Sequence, residues 1–220
     1  LHNREFGKNN QRLYAAVEQA APDLIFLTGD LVDEYAEAPI PYAKAVGKAL
    51  SAIAPTYYVT GNHELWSGKS ETYKASLRAL GVTVLEGDRL TLSVRGQSID
   101  LCGLDDPAVG EDTWSEQLST CTAGTEGRYT VLLTHRPERT EEYGGFDLTL
   151  SGHAHGGQWR FPGLINGLIA PNQGLFPQYA GGRYDFGDTV FIVSRGLARE
   201  TTRIPRFYNR PELVIVDLMP

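Results

Sequence analysis

The sequence contains only two cysteines, one methionine and no long hydrophobic run, and these shortages exclude several kinds of protein. Cys102 and Cys121 cannot form the disulfide scaffold of a small secreted domain, although a single disulfide between them stays open. No apolar run reaches the roughly 18 residues that a membrane-spanning helix needs. Acidic residues outnumber basic ones, 27 to 20, and the net charge of −7 argues against a nucleic-acid-binding protein.

All five histidines lie in short motifs of the kind that bind metal. The five histidines are His2, His63, His135, His153 and His155. Neutral imidazole and carboxylate are the ligands of borderline divalent metals such as zinc, manganese and iron. This distribution is most simply explained by a metalloenzyme.

The apolar pattern predicts strands and helices that alternate in one domain of 220 residues. Helical spacing predicts helices over 9–20, 42–53 and 70–80. Short apolar runs predict strands over 23–28, 57–60, 129–133, 147–150, 190–194 and 212–218. The segment 82–104 favours an antiparallel meander, and the Gly- and Pro-rich segment 156–188 favours a long functional loop.

Four polar residues closely follow predicted strands, and they are Asp30, Asn62, His135 and His153. In open α/β sheets the loops at the carboxyl ends of neighbouring strands converge on one site. Taken singly, each residue has an ordinary interpretation as a turn residue, a helix cap or a half-buried histidine. Taken together, they predict a metal site.

The motifs resemble those of the calcineurin-like metallophosphoesterases. Four of that family's five motifs are matched in order, by Gly29-Asp30-Leu-Val-Asp33, Gly61-Asn62-His63-Glu64, His135 and Gly152-His153-Ala-His155. Leu1-His2 resembles the end of the remaining one, Asp-x-His. Further segments are similar to the YkuE- and YaeI-like branch of bacterial phosphodiesterases, namely 132–138, 151–158, 194–197 and 210–212.

This resemblance implies an α/β fold, a four-layer α/β/β/α sandwich of two mixed sheets flanked by helices. It covers the chain as a single domain over 1–220, and it implies that the N-terminal strand and the first ligand Asp are missing before Leu1. An upstream segment would also have carried any signal or anchor. Membrane association through that segment, and with it the localisation, therefore stays open.

The resemblance also implies two divalent metal ions, of manganese, iron or zinc. Asp30 would bridge them. Asn62, His135 and His153 would complete one site, while His2 and His155 would hold the other ion.

The remaining site residues concern the substrate. The resemblance implies that His63 faces the substrate rather than a metal ion, with Asp33 orienting it.

Arg195 and Arg136 are candidate phosphate-binding residues, because guanidinium groups bind phosphate as a bidentate fork. Arg195 lies in an arginine-rich segment that also contains Arg199, Arg203, Arg206 and Arg210, and a solvated face with surface ion pairs is the alternative for most of these. The long loop contains four aromatic residues with two alternative roles: they line a substrate groove, or they pack beneath the loop. These residues are Trp159, Phe161, Phe176 and Tyr179.

The function implied is hydrolysis of phosphoric esters, either phosphodiester or pyrophosphate bonds, by a metal-bridging hydroxide. The substrate would be a small phosphoester or an envelope lipid. The alternative is a non-catalytic or crippled metal-binding domain, because the first Asp is absent. A metallo-β-lactamase-type hydrolase is excluded, since that family requires His-x-His-x-Asp-His and Gly156-Gly157 follow His155 here.

Overall fold

The computed structural model describes residues 1–123, 127–161, 163–198 and 204–219. Its helices are α1 (Gln11–Ala20), α2 (Pro39–Ser51), α3 (Asn62–Trp66), α4 (Ser70–Arg78) and α5 (Glu111–Thr122). Its strands are β1 (Ile25–Thr28), β2 (Thr56–Val59), β3 (Thr83–Val84), β4 (Arg89–Val94), β5 (Gln97–Gly103), β6 (Tyr129–Leu133), β7 (Leu148–Ser151), β8 (Ile169–Ala170), β9 (Gly174–Leu175), β10 (Gly182–Phe186) and β11 (Thr189–Val193).

The strands form two sheets and a small hairpin. The smaller sheet has the order β1-β2-β3 and is parallel throughout. The larger sheet has the order β10-β11-β7-β6-β5-β4. Its four central strands are parallel, and the edge strands β4 and β10 pair with their neighbours in the antiparallel direction. The hairpin β8-β9 lies within the long loop after β7.

The two sheets pack face to face through an apolar core. Tyr57 and Val59 of the smaller sheet share a buried cluster with Leu101, Val131 and Leu133 of the larger one. Strands buried on both faces are rich in branched apolar residues rather than alternating with polar ones, which explains why these short runs are recognisable in the sequence.

Helices cover the outer faces of both sheets. Helices α1, α2 and α4 bury apolar residues such as Val46 and Leu77 against Tyr58 of the smaller sheet. Helix α5 buries Trp114 against Leu132 of the larger sheet. The result is the expected four-layer α/β/β/α arrangement, so the predicted fold class is confirmed.

Several details differ from the sequence-based expectations. Only β4 and β5 form an antiparallel hairpin in the predicted meander, because β3 pairs with β2 in the other sheet. The predicted strand over 212–218 is wrong: within the described residues it has no ladder partner, and Leu213, Ile215 and Leu218 are exposed. Helix α5 was not predicted.

Within the described residues, the cysteines and the helices can be compared with what the composition indicated. Cys102 and Cys121 are both buried and both are free thiols. No helix there is long and apolar enough to cross a membrane.

Candidate metal centre

The polar side chains predicted to bind metal meet at the carboxyl ends of four strands. Asp30 follows β1, Asn62 begins the helix after β2, His135 follows β6, and His153 follows β7. These strands are β1 and β2 of the smaller sheet and β6 and β7 of the larger one, so both sheets contribute. All four side chains are buried.

His135 is the centre of the first ligand group. Its Nε2 lies 3.0 Å from Oδ2 of Asp30, 3.2 Å from Oδ1 of Asn62 and 3.1 Å from Nδ1 of His153. Donor atoms of Asp30, His135 and His153 all lie within 4.8 Å of one another. One cation between them would be in reach of each.

The outer nitrogens of both imidazoles are fixed by carbonyl oxygens. Nδ1 of His135 donates to the backbone oxygen of Thr28 at 2.7 Å, and Nε2 of His153 donates to Oδ1 of Asn172 at 2.8 Å. Because a carbonyl oxygen can only accept, the inner nitrogen of a neutral ring carries a lone pair. The two inner nitrogens lie 3.1 Å apart, so a positive charge between them, either a proton on His135 or a metal ion, is needed to offset their repulsion. This is the usual arrangement of metal-ligating histidines, so the donor set fits a metal ion.

Asp30 occupies a strained position between two groups of ligands. Its φ of 49° lies in the left-handed region, which an ordinary residue adopts at a cost of about 1–3 kcal/mol. Its Oδ1 accepts the backbone N–H of His63 at 3.2 Å. Its Oδ2 is buried and lies 3.0 Å from Nε2 of His135 and 3.3 Å from Nε2 of His2. One carboxylate oxygen therefore faces both groups.

His2 and His155 form the second ligand group with Asp30. Donor atoms of the three residues lie within 4.8 Å of one another, and all three side chains are largely buried. His2 is held in place by its backbone, since both its N–H and the amino group of Leu1 donate to the backbone oxygen of Asp30, at 3.0 and 2.7 Å.

Burial and charge set the protonation of these histidines. Burial lowers the pKa of His153 to about 3 and holds the pKa of His155 well below its usual value, so both are neutral, as a metal ligand must be. Burial also disfavours the charged form of His135, but the Asp30 carboxylate outweighs it and raises the pKa of His135 to about 9. A positive charge is thus favoured between His135 and Asp30, whether it is a proton or a metal ion.

His63 lies beside the second group rather than within the first. Burial lowers its pKa to about 4. Its Nδ1 contacts the carboxylate of Glu34, and its ring lies 5.6 Å from the exposed indole of Trp66. The expected partner, Asp33, is nearby, but its carboxylate is directed to Nδ1 of His2 at 3.8 Å. The structure thus gives Glu34 the contact that the sequence assigned to Asp33.

Glu64 is a site residue without an assigned role in the sequence analysis. Its buried carboxylate accepts backbone N–H groups from Asp30 at 3.0 Å, Val32 at 3.0 Å and Gly61 at 2.7 Å. It therefore joins the loop that carries Asp30 to the helix that carries Asn62. The available signal was its place three residues after Gly61, where an acidic residue caps a helix start.

Asn172 is the second residue that the sequence did not reveal. It lies between β8 and β9, within the long loop, and reaches His153 from there. No short motif marks it, because its contact depends on how the loop folds back over the sheet.

The two candidate substrate arginines are engaged in ion pairs. The guanidinium of Arg136 forms a buried pair with Asp106, at 2.6 and 3.0 Å, so it is not available as the expected phosphate ligand. Arg195 pairs with Glu212. Arg199 and Arg203 lie outside the described residues.

The aromatic residues of the long loop divide into two groups. Trp159 and Phe161 lie beside Phe207, with ring centroids 5.8 and 6.0 Å apart, on a partly exposed surface. Tyr179 is buried against Phe191 and therefore has a packing role. Phe176 is exposed.

Known proteins share this sequence pattern and this fold. Residues 2–157 match the family model for calcineurin-like phosphoesterases. The chain is 32% identical over 212 residues to the metallophosphoesterase YkuE of Bacillus subtilis, covering 92% of this chain and 70% of that protein. It is 29% identical over 202 residues to the phosphodiesterase YaeI of Escherichia coli, covering 90% of this chain and 71% of that protein.

Solved structures agree in fold. The NAD nucleotidase of Haemophilus influenzae gives a TM-score of 0.57 at 18% identity, covering 84% of this chain but only 38% of that one. The phosphopantetheinyl hydrolase of Mycobacterium tuberculosis gives a TM-score of 0.53 at 13% identity, covering 87% of this chain and 85% of that one.

A further sequence relative is a transmembrane protein with a metallophosphoesterase domain from Danio rerio. It is 28% identical over 163 residues, and this chain spans 36% of it.

The fold and the ligand set at its strand ends define a metal-dependent phosphoesterase. More particularly, the chain belongs to the calcineurin-like phosphoesterase family, because that family's model matches 2–157 and its motifs supply the residues of this site. The family membership expected from the sequence is confirmed. The chain is a hydrolase of phosphoric esters.

Proposed function

We propose that the protein hydrolyses phosphodiester or pyrophosphate bonds at a centre of two divalent metal ions. The observation that carries this proposal is the position of Asp30. Its buried Oδ2 lies 3.0 Å from Nε2 of His135 and 3.3 Å from Nε2 of His2, one from each ligand group. A carboxylate oxygen between two sets of nitrogen ligands suits a bridging position.

Each ion would have its own ligands. Asn62, His135 and His153 would complete one site with Asp30, and His2 and His155 would complete the other. The nitrogen and oxygen donors suit manganese, iron and zinc alike, because these metals all accept imidazole and carboxylate. Two such ions supply a water of lowered pKa as nucleophile and withdraw charge from the phosphoryl group.

The protein's own residues would hold these ligands rather than react. Thr28 and Asn172 fix the rings of His135 and His153 by accepting their outer N–H groups. Glu64 fixes the backbone of Asp30 relative to the helix that carries Asn62. Such supporting contacts hold the metal-ligating side chains in one orientation and so favour metal binding.

His63 is proposed to act on the leaving group. It is close to the second ligand group, with its ring 4.4 Å from that of His2, and only partly buried, so it can face a bound ester. The contact between its Nδ1 and Glu34 leaves Nε2 for the substrate. Because burial lowers the pKa of His63 to about 4, the negative charge of a bound ester would have to favour the protonated ring, with Asp33 supporting that charge from nearby. The Nε2 proton would then pass to the departing oxygen.

The experiment is a metal-supplemented assay with three substrates. Protein freed of metal with a chelator is reloaded separately with Mn²⁺, Fe²⁺ or Zn²⁺ and given bis-p-nitrophenyl phosphate, p-nitrophenyl phosphate and ADP-ribose, which is a pyrophosphate diester. We expect activity only with metal, a preference for diesters over the monoester, and loss of activity in Asp30→Asn. Two bound ions without any hydrolysis would favour the alternative of a non-catalytic metal-binding domain.

A further inference from the structure

Three arginines lie close together, and one of them, Arg206, is linked to the second ligand group. Nη2 of Arg206 donates to the backbone oxygen of Arg195 at 2.6 Å. A Cβ placed on Gly181 would lie 2.6 Å from Cγ of Arg195 and 3.1 Å from Nη1 of Arg160, so these two side chains pack over the same glycine. We call Arg160, Arg195 and Arg206 the arginine cluster.

The arginine cluster carries more positive charge than its surroundings neutralise. Arg195 is paired with Glu212, but neither Arg160 nor Arg206 forms an ion pair with a carboxylate in the described ranges. Counted over the described residues, three guanidinium groups and one carboxylate leave a local charge of about +2 in a chain whose net charge is −7. Burial lowers the pKa of both Arg160 and Arg206, and the neighbouring charge of Arg195 lowers each further.

Two N–H groups of the cluster also lack acceptors. Nη1 of Arg160 and Nε of Arg206 are buried and have no hydrogen-bond partner among the described residues. A buried donor without an acceptor costs about 1–3 kcal/mol, and more when the group is charged. An oxyanion with several acceptor oxygens would satisfy both donors, and guanidinium groups bind such anions with forked hydrogen bonds.

The cluster is connected to the metal centre. Nη1 of Arg206 donates to Oδ1 of Asn209 at 3.4 Å, and Nδ2 of the same Asn209 donates to the backbone oxygen of His155 at 2.6 Å. Arg206 is also close enough for its charge to act on the imidazole of His155 and on the amino group of Leu1. Asn209 therefore links Arg206 of the cluster to the loop that carries His155.

We infer that the arginine cluster is an anion subsite that binds a second phosphoryl group of the substrate, apart from the group that is cleaved. This inference rests on the proposed function and narrows its substrate class to molecules with two phosphoryl groups, such as pyrophosphate diesters. The metal ligands would hold the reacting group, and the cluster would hold the other. Arg195 would then contribute to substrate binding as part of the cluster rather than alone.

The first test measures anion binding without metal or turnover. Chelator-treated protein is titrated with inorganic pyrophosphate by calorimetry, and Arg160→Gln and Arg206→Gln are compared with the control Arg183→Gln. Arg183 is exposed and paired with Asp185 in β10, outside the cluster. We expect each cluster variant to weaken binding about tenfold or more, since a charge-assisted hydrogen bond is lost, with the control unchanged. Asp30→Asn should keep the binding.

Equal binding by wild type and the Arg160→Gln/Arg206→Gln double variant would overturn the subsite. Circular dichroism and thermal unfolding identify any variant that fails to fold. The single variants, which remove one guanidinium each, still test the subsite if the double variant does not fold.

The second test asks whether the anion belongs to the substrate. With metal-loaded protein, Arg206→Gln should raise KM for ADP-ribose about tenfold more than KM for bis-p-nitrophenyl phosphate, which has a single phosphoryl group. Equal changes for both substrates, with inorganic phosphate competing equally against both, would assign the subsite to a free anion and overturn the inference. Failure to hydrolyse either ester would overturn the proposed function instead, and the pyrophosphate titration distinguishes the two failures.

Discussion

The carboxylate of Glu64 accepts the backbone N–H of Asp30 at 3.0 Å, although the two residues follow different strands. The same carboxylate accepts N–H groups of Val32 and Gly61. Glu64 is buried, and burial raises its pKa, yet the loop after β1 and Gly61 before α3 together supply donors for both of its oxygens. One side chain thus sets the distance between two loops that carry metal ligands.

Replacing Glu64 by Ala should lower both stability and metal affinity. Three buried N–H groups would lose their acceptor, which we expect to cost about 3 kcal/mol or more in the free energy of unfolding. Urea unfolding and metal titration measure the two effects. Glu116→Ala, at an exposed position of α5, is the matched control and should change neither. Unchanged metal affinity in Glu64→Ala would contradict the role proposed for this residue.

Replacing His63 by Ala should lower turnover about 10²–10⁴-fold while the metal content stays the same. The reason is that His63 would supply a proton rather than a metal ligand. The loss should be smaller for p-nitrophenyl esters, whose leaving group needs no proton, than for ADP-ribose. Steady-state kinetics and metal analysis of the same preparation check this prediction. Loss of a metal ion in His63→Ala would make His63 a ligand.

The sequence predicted the parts of the site that follow strands directly. Asp30, Asn62, His135 and His153 stand within three residues of a strand end, so the sheet alone brings them together. Glu34 and Asn172 could not be found in this way, because each reaches its histidine from a loop whose path depends on long-range packing.

The same contrast holds for the fold. The buried parallel strands are continuous apolar runs and were recognisable. Helix α5 was missed because only Trp114, Gln117 and Cys121 are buried on it, a narrow stripe in a polar segment. The segment 212–218 has strand-like alternation, but alternation cannot indicate whether a partner strand is present.

Replacing Asn172 by Ala should weaken metal binding about 10–100-fold, the usual effect of removing a residue that orients a ligand. Without its carbonyl oxygen, the ring of His153 would rotate and Nδ1 would leave the first ligand group. Asn172→Asp keeps an oxygen acceptor and should restore most of the affinity. Competition with a chelating dye measures the dissociation constant. If Ala and Asp variants lose affinity equally, the hydrogen bond to His153 is not the cause.

Replacing Lys74 by Met should destabilise the fold by about 3–5 kcal/mol, because it breaks a buried ion pair. Nζ of Lys74 is buried and donates to Glu86 at 2.6 Å and to Asp105 at 3.1 Å. Lys44→Met, at an exposed position of α2, should change stability little.

The effect of Lys74→Met should also depend on pH. Burial alone would raise the pKa of Glu86, but Lys74 and Arg78 outweigh burial and lower it. A lowered pKa means stability that is present above the unfolded value and lost as pH falls through the folded one. The difference in free energy of unfolding between wild type and Lys74→Met should therefore shrink below about pH 4. If the difference in free energy of unfolding stays constant between pH 7 and pH 3, the ion pair with Glu86 is not what stabilises the fold.

Single substitutions should separate the two proposed metal ions. His153→Ala should remove the ion of the first ligand group, because His135, Asn62 and Asp30 would then hold it with one ligand fewer. His155→Ala should remove the other ion, whose remaining ligands are His2 and Asp30. Asp30→Asn should lower the affinity of both, since a neutral amide replaces the shared carboxylate between two cations.

The measurement is metal analysis of each variant after dialysis against a fixed low concentration of Mn²⁺. His63→Ala is the control, as it removes a nearby imidazole that is proposed not to bind metal. Loss of a single ion in each of the histidine variants and of both in Asp30→Asn would support the shared carboxylate. One ion per chain in every protein tested, wild type included, would instead mean a mononuclear centre, and Oδ2 of Asp30 would then belong to that one ion.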